Sequence, residues 1–353
     1  MIMNCSGSID RLAWLDEAKG TLREGPRPQM TRTFNRAMSK VVALAGGVGG
    51  AKLADGLAAI LPADRLTVVV NTGDDFEHLG LSICPDLDTV TYTLAGIASP
   101  EAGWGRANET WTVLEELRSL GGPTWFRIGD RDLAVHLERT RLLRAGLSLT
   151  EVVRRICVAL GVTVRVLPMC DEPVRTVVIT QEGELPFQEY FVARGCEPVV
   201  RGFRFDGIEA ALPAPGVLAA LAEADFIVLC PSNPWVSLDP VLAVPGVRKA
   251  LEGRPLLAVS PIVGGKALKG PAAKMFTELG IEPSPLAVAQ HFRHLLKGMV
   301  IDAVDEDGAE RIRQLGIRTS VTDTVMKGRP DRARLAQDVL HFGAELSAGE
   351  VES

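Results

Sequence analysis

The sequence predicts an α/β fold: a Rossmann-like, mostly parallel sheet flanked by helices, with a smaller α+β subdomain inserted into it. Three observations predict this. Short aliphatic runs, apolar at nearly every position, stop abruptly at glycine or polar turns, as strands buried on both faces of a parallel sheet do. Val41–Ala45, Leu66–Val70 and the run from Ala224 to Cys230 are the clearest. Helix-like segments separate these runs. Aromatic residues are only 5% of the 353 residues, which suits α/β packing better than a β-sandwich.

The first strand, Val41–Ala45, runs into Gly46-Gly47-Val48-Gly49-Gly50-Ala51-Lys52, and a helix is expected from Ala51 to Leu61. A strand, a glycine turn and a helix start form a seat for an anion, most often a phosphate, because glycine lets a ligand approach the backbone and the helix start presents N–H groups. Gly47, Gly49, Gly50 and Lys52 are the candidate residues. The dinucleotide pattern is broken, since Lys52 stands where a third glycine belongs and the next strand ends in Asn71 rather than an acid. The P-loop reading is weakened too, because Leu53, not Ser or Thr, follows Lys52.

The second strand, Leu66–Val70, ends in Asn71-Thr72-Gly73-Asp74-Asp75. Carboxylates beyond the carboxyl end of a parallel strand stand where open α/β sheets bind ligands, and paired acids beside a phosphate seat can hold Mg²⁺. A second acidic cluster, Cys84-Pro85-Asp86-Leu87-Asp88-Thr89, leads into a helix expected over 90–98, which Asp86 or Asp88 could equally cap. A loop with Trp104, Arg106, Asn108 and Trp111 follows, then a helix over 112–120, a short strand over Trp125–Ile128 containing Arg127, and Gly129-Asp130-Arg131-Asp132 opening another helix.

Between about 133 and 200 the pattern changes. Two helices are expected up to Leu160, then β-branched or alternating strands over 163–169, 176–180 and 187–192, which predicts the inserted α+β lid over 133–200 with antiparallel strands. The α/β core, 40–132, resumes over 201–343. The strand ending at Cys230 meets Pro231-Ser232-Asn233-Pro234, whose prolines fix a turn carrying Ser232 and Asn233. A strand near 255–260 runs into Gly264 and Gly265; Lys266, Lys269 and Lys274 follow around a helix start, a second candidate anion seat. Strands at 299–302 and 318–321 and a closing helix over 332–342 complete the core, and 344–353 reads as a tail. Residues 1–39 lack a sustained period and an apolar signal region, and read as a disordered tail or as sequence upstream of the true start, since Met38 directly precedes the first strand.

The net charge of −6 disfavours nucleic acid as a main partner. Six cysteines, none in a CxxC pair, suit a reducing cytoplasm rather than a zinc site or disulfide framework. No uncharged apolar run is long enough to span a bilayer. His291 and His294 lack a third partner in sequence for a metal.

Taken in order, seven motifs resemble one family, the 2-phospho-L-lactate transferases (CofD, or FbiA in bacteria) of coenzyme F-420 biosynthesis. They are the glycine loop over 46–52, Asn71–Asp75, Cys84–Thr89, Gly103–Trp111, Gly129–Leu133, Pro231–Pro234 and Ser260–Gly265. The tryptophan-rich loop resembles the bacterial members. The resemblance covers 41–342. It implies transfer of a phospho-carboxylate unit, phospholactyl or phosphoenolpyruvyl, from a guanosine diphosphate-linked donor to the deazaflavin Fo, with GMP leaving. It implies Asp74 and Asp88 as Mg²⁺ ligands, Asp88 and Arg127 at the deazaflavin, and a homodimer. The glycine loop, Ser232-Asn233 and Gly264-Gly265 are the candidates for the nucleotide and its phosphates. A sugar-nucleotide-binding regulator of related fold is the competing reading, and such relatives lack the combination of Pro85–Asp88 with Gly129–Asp132.

Overall fold

The computed structural model describes residues 39–349; the expectations for residues 1–38 lie outside them. Among the described residues, fourteen strands form four sheets. The strands are β1 (Val41–Ala45), β2 (Leu66–Val70), β3 (Phe76–His78), β4 (Leu81–Ile83), β5 (Arg165–Pro168), β6 (Arg175–Thr180), β7 (Gly183–Pro186), β8 (Val200–Asp206), β9 (Phe226–Leu229), β10 (Leu256–Val259), β11 (Ile262–Val263), β12 (Lys266–Ala267), β13 (Gly298–Asp302) and β14 (Arg318–Thr322). The main sheet has seven strands in the order β14-β13-β10-β9-β1-β2-β5, and every pairing in it is parallel.

The chain builds this sheet outward in two directions from β1, first through β2 to β5 and then through β9 to β14. The order therefore reverses between β1 and β9, and ligands of open α/β sheets bind in the crevice outside the carboxyl ends at such a point. All of β1 is buried. Val42 and Leu44 face one hydrophobic core, and Val41, Ala43 and Ala45 face the other, as the two-residue period of a strand requires.

Helices cover both faces. The second core is closed by α1 (Gly47–Ala58), α2 (Pro85–Leu94), a helix over Leu149–Ala159 and the last helix, Arg329–Gly349. The first core is closed by the short helices after β8 and by the small sheet β7-β6-β8. Among the described residues no helix is long and apolar enough to cross a membrane.

The α+β insertion is present, but its edges differ from the expected 133–200. Residues 165–168 form the parallel edge strand β5, paired with β2, so the antiparallel sheet spans only 175–206. Alternating or β-branched strands next to antiparallel ones look alike in sequence, because an edge strand of a parallel sheet is half exposed and alternates too. Trp125–Ile128 is not a strand. Residues 187–192 are not one either: β7 ends at Pro186 and Glu189–Ala193 is a π-helical turn. The closing helix continues through 344–349, where a tail was expected.

Candidate active site

Helix α1 begins earlier than expected, within the glycines. Gly47 has φ +62° and opens the first turn, a conformation that favours glycine. Gly49 is packed so closely that an added Cβ would collide with the carbonyl oxygen of Pro231, in the turn after β9. An added Cβ on Gly50 would meet Ala45 and, at 2.7 Å, the hydroxyl of Ser232. These glycines bring α1 against the neighbouring strand end, so the loops after β1 and β9 meet at the topological switch point.

Ser232 joins the two loops. Its Oγ accepts from the Gly46 N–H at 3.1 Å and donates to the Gly46 carbonyl at 2.8 Å. Asn233 accepts from the N–H groups of Trp235 and Val236 and so caps the turn that follows. Both polar side chains thus shape the backbone, while still lining the cleft.

That cleft, about 520 Å³, lies over the carboxyl ends of β1, β2 and β9. It gathers Gly47, Gly49, Lys52, Asp74, Asp88, Arg127, Ser232 and Asn233 from the sequence-derived candidates. Gly50, Gly264 and Gly265 do not line it. Gly264 and Gly265, with φ +56° and +73°, form the two-residue turn between β11 and β12, a hairpin turn that requires positive φ at both positions. Gly264 N–H donates to Asp305 Oδ2 at 3.0 Å. The neighbouring residues Val263, Leu268 and Lys269 face the cleft instead.

The floor is a buried carboxylate network. Asp86 Oδ1 accepts from the Gly47 N–H at 2.6 Å, and Asp86 Oδ2 accepts from Asn71 Nδ2 at 3.0 Å. Asn71 Nδ2 also lies 3.3 Å from Asp74 Oδ1, and Gln188 Nε2 donates to Asp74 Oδ2 at 3.2 Å. Asp74 and Asp86 are each 6% exposed. Burial first, then the neighbouring Asp86 and Asp75 carboxylates, push the Asp74 carboxyl well above the usual range. Burial pushes Asp86 up to about 6, against the hydrogen bonds from Asn71 and Gly47. Burial also pushes Asp75 up to about 7, and Asp75 Oδ1 is buried with no hydrogen-bond partner.

Asp88 belongs to a separate network. Arg139 donates to both of its oxygens, with Nη1 at 3.1 Å from Oδ2 and Nη2 on Oδ1. His136 Nδ1 lies 3.0 Å from Arg139 Nη1; a guanidinium has no acceptor, so Nδ1 accepts and the ring proton is on Nε2. That Nε2 faces Asp132 Oδ2 at 3.4 Å without a hydrogen bond, and Tyr92 Oη donates to Asp132 Oδ1 at 2.6 Å. His136 and Arg139 are each 2% exposed. Burial raises the Asp88 carboxyl above its ordinary value and outweighs the opposing pull of Arg139.

The sequence reading missed His136 and Arg139. With Asp132 they form an Asp-His-Arg set at i, i+4 and i+7 on one face of the helix Asp130–Arg144, and this spacing is the signal that could have found them. Placing a subdomain boundary at 133 cut that helix in two. Its start is fixed by Glu109, which accepts from the N–H groups of Arg131 and Asp132 at 2.8 Å each. The cleft-facing Gln188, on the turn after β7, carried no signal.

The donor chemistry of these two networks differs. The Asp88, Asp132 and His136 ligand atoms lie within 4.8 Å of one another, but the Arg139 guanidinium already sits among them, and a second cation there would be repelled. The Asp74–Asp86 pair has only neutral amides as near hydrogen-bond partners, and all its donor atoms are oxygen. Hard oxygens without an ion-pair partner among the described residues fit Mg²⁺.

The walls are aromatic. Trp125 and Phe126 line one side with centroids 5.7 Å apart, and both rings pack on Phe76, which does not itself line the cleft. Across the cleft, Phe187 and Phe191 stack at 5.5 Å. Arg127 is exposed at the rim and its guanidinium lies 4.5 Å above the Trp111 ring.

Residues 41–334 match the profile of the family described as 2-phospho-L-lactate transferase CofD. The chain is 43% identical over 317 residues to the phosphoenolpyruvate transferase of Streptomyces griseus subsp. griseus, covering 88% of this chain and 100% of that protein. The chain belongs to the CofD family. It is 38% identical over 300 residues to the 2-phospho-L-lactate transferase of Methanosarcina acetivorans, with 85% of this chain and 98% of that protein covered. Among solved structures, a UPF0052 family protein from Bacillus halodurans superposes with a TM-score of 0.58 at 15% identity, over 86% of this chain and 100% of that one. That likeness shows the fold alone. The CofD-family chain is thus a transferase of doubly wound α/β architecture, in agreement with the resemblance drawn from its seven motifs.

Proposed function

We propose that this CofD-family member transfers a phospho-carboxylate unit, phosphoenolpyruvyl or phospholactyl, from a guanosine diphosphate-linked donor to the ribityl hydroxyl of the deazaflavin Fo, releasing GMP. Family membership supports a transferase role in coenzyme F-420 biosynthesis. The observation that carries the finer reading is that one cleft combines buried carboxylates with aromatic walls. The first suits a metal-bound diphosphate and the second a flat ring system.

In this reading the acceptor oxygen attacks the phosphorus that carries the carboxylate unit. The bond from that phosphorus to the oxygen of the GMP phosphate breaks, and the hydroxyl proton passes to one of the carboxylates Asp74, Asp75 or Asp88. Transfer of this kind depends on positioning and charge neutralisation more than on covalent chemistry. Asp74 and Asp86 would hold Mg²⁺; Asp88, which the resemblance offered as the second ligand, has both oxygens on the Arg139 guanidinium. A bound Mg²⁺ neutralises charge on the diphosphate oxygens. Arg139 locks the Asp88 carboxylate toward the cleft, and Asn71 and Gln188 orient Asp74. Asp88 and Arg127 receive the acceptor, whose ring lies against the aromatic wall. Lys52 and the backbone around Gly49, Ser232 and Asn233 meet the nucleotide and its phosphates, the Gly47 amide being taken by Asp86.

The test is GMP release by purified protein with Mg²⁺, measured with and without Fo for each donor. Release that requires Fo supports the reading; hydrolysis of donor at the same rate without Fo counts against it.

A further inference from the structure

We infer that Lys269 seats the carboxylate of the donor's transferred unit, beside Lys52, and so selects donors by that group. The inference rests on the transferase reading above. Three cationic side chains line the cleft: Lys52, Arg127 and Lys269. Arg127 stacks on Trp111 at the acceptor end. The backbone amide best placed for an anion, that of Gly47, is already occupied by the Asp86 carboxylate. Anionic groups of the donor that a cation on the acidic floor does not neutralise therefore fall to the two lysines.

Neither lysine forms an ion pair among the described residues. Lys52 Nζ donates to the Met326 carbonyl at 2.7 Å, and Lys269 Nζ donates to the Ala102 carbonyl at 2.5 Å. Each ammonium has three donors, so each keeps N–H groups for a ligand. The two charges feel each other: burial first, then Arg332 and Lys269, hold the Lys52 ammonium below its ordinary value, with Asp331 pulling the other way. Like charges held together in a cleft call for an anion between them. The phospho-carboxylate unit has two anionic groups on one carbon, a phosphoryl group joined through an ester oxygen and a carboxylate. Lys52, half-buried on α1, is placed for the phosphate. Lys269, exposed at the rim, is placed for the carboxylate.

Lys269 also stands where three cleft loops meet. A Cβ added to Gly103 would lie 2.9 Å from Val48 Cγ1, in the glycine loop, and 3.1 Å from Lys269 Nζ. A purely structural role, tying the tryptophan-containing loop to the rim, predicts a different outcome from carboxylate recognition.

The experiment compares the full-length protein with Lys269→Met and Lys269→Arg. It measures the donor KM, the Fo KM and the inhibition constant of GDP, which has the diphosphate but no carboxylate. Loss of one charge-assisted contact predicts a donor KM raised about ten- to a hundredfold in Lys269→Met. The GDP constant and the Fo KM should stay within about twofold, and Lys269→Arg should recover most of the loss. Parallel losses for donor, GDP and Fo would reduce Lys269 to a loop tie, and an unchanged donor KM would remove it from the site; either overturns the inference while leaving the transferase reading standing. If the unsubstituted protein releases no GMP from any donor, the transferase reading fails, and the inference with it.

Discussion

The carboxylate of Asp86 accepts the N–H of Gly47 at 2.6 Å. The glycine loop thus binds an anion, but it is the protein's own. In a nucleotide-binding loop that amide commonly faces a phosphate; here it holds one wall of the acidic floor, and Gly46 leaves no room beside it, since an added Cβ would sit 2.5 Å from Asp86 Oδ2. Asp86→Ala should strand the Gly47 N–H and remove one partner of Asn71. The expected cost is about 1–3 kcal/mol of folding stability, read from urea unfolding. A change under about 0.5 kcal/mol, the usual range for a surface substitution, would mean that the bond is not a structural one.

The raised carboxyls of Asp74, Asp75 and Asp86 set a pH dependence. Their folded values lie above the unfolded value of 3.8, with Asp86 at about 6 and Asp75 at about 7. Between about 4 and 7 the folded state therefore holds more protons than the unfolded chain, and stability falls as pH rises through that window. In metal-free buffer Tm should be higher at pH 5 than at pH 7.5, and Mg²⁺ should raise Tm more at pH 7.5 than at pH 5. Asp74→Asn should flatten both trends. An Mg²⁺ effect of equal size at both pH values, or one that survives in Asp74→Asn, would contradict this.

Asp88 and Arg139 are buried partners, so either change should reach the fold as well as activity. Asp88 lines the cleft, but at 6% exposure and with both oxygens on a guanidinium it is one half of a buried ion pair. Arg139→Met should cost about 3–5 kcal/mol by leaving a buried carboxylate without its counter-charge. Replacing both residues with apolar ones should recover part of that in unfolding experiments, without restoring activity. A double variant no more stable than Arg139→Met would show that the pair does not act as a unit.

Arg127 lies at the rim against Trp111, away from the acidic floor. Arg127→Ala should raise the Fo KM about tenfold or more, the loss of roughly one stacked, charge-assisted contact, and leave the donor KM nearly unchanged. A loss confined to the donor would move Arg127 to the nucleotide end.

Much of this architecture is legible in the chain because parallel strands buried on both faces leave unbroken aliphatic runs. Val41–Ala45 and Leu66–Val70 were readable to the residue, and the strand ending at Leu229 nearly so. Acidic and glycine turns at their ends were equally plain. Long-range pairing was not. Nothing local in Asp88 announces Arg139, 51 positions away, and Gln188 meets Asp74 only because the small sheet folds back over β2. Gly264 and Gly265 misled for a related reason: a glycine pair can serve a ligand or a tight hairpin, and only the pairing of β11 with β12 decides it.

The central claim is tested most directly by mass spectrometry of the product formed from full-length protein, Mg²⁺, Fo and each guanosine diphosphate-linked donor in turn. The account predicts a new species with the mass of Fo plus one phospho-carboxylate unit, joined as a phosphodiester and formed one for one with GMP. Unchanged Fo with every donor, together with saturable binding of a nucleotide sugar, would contradict it and favour a regulator of related fold.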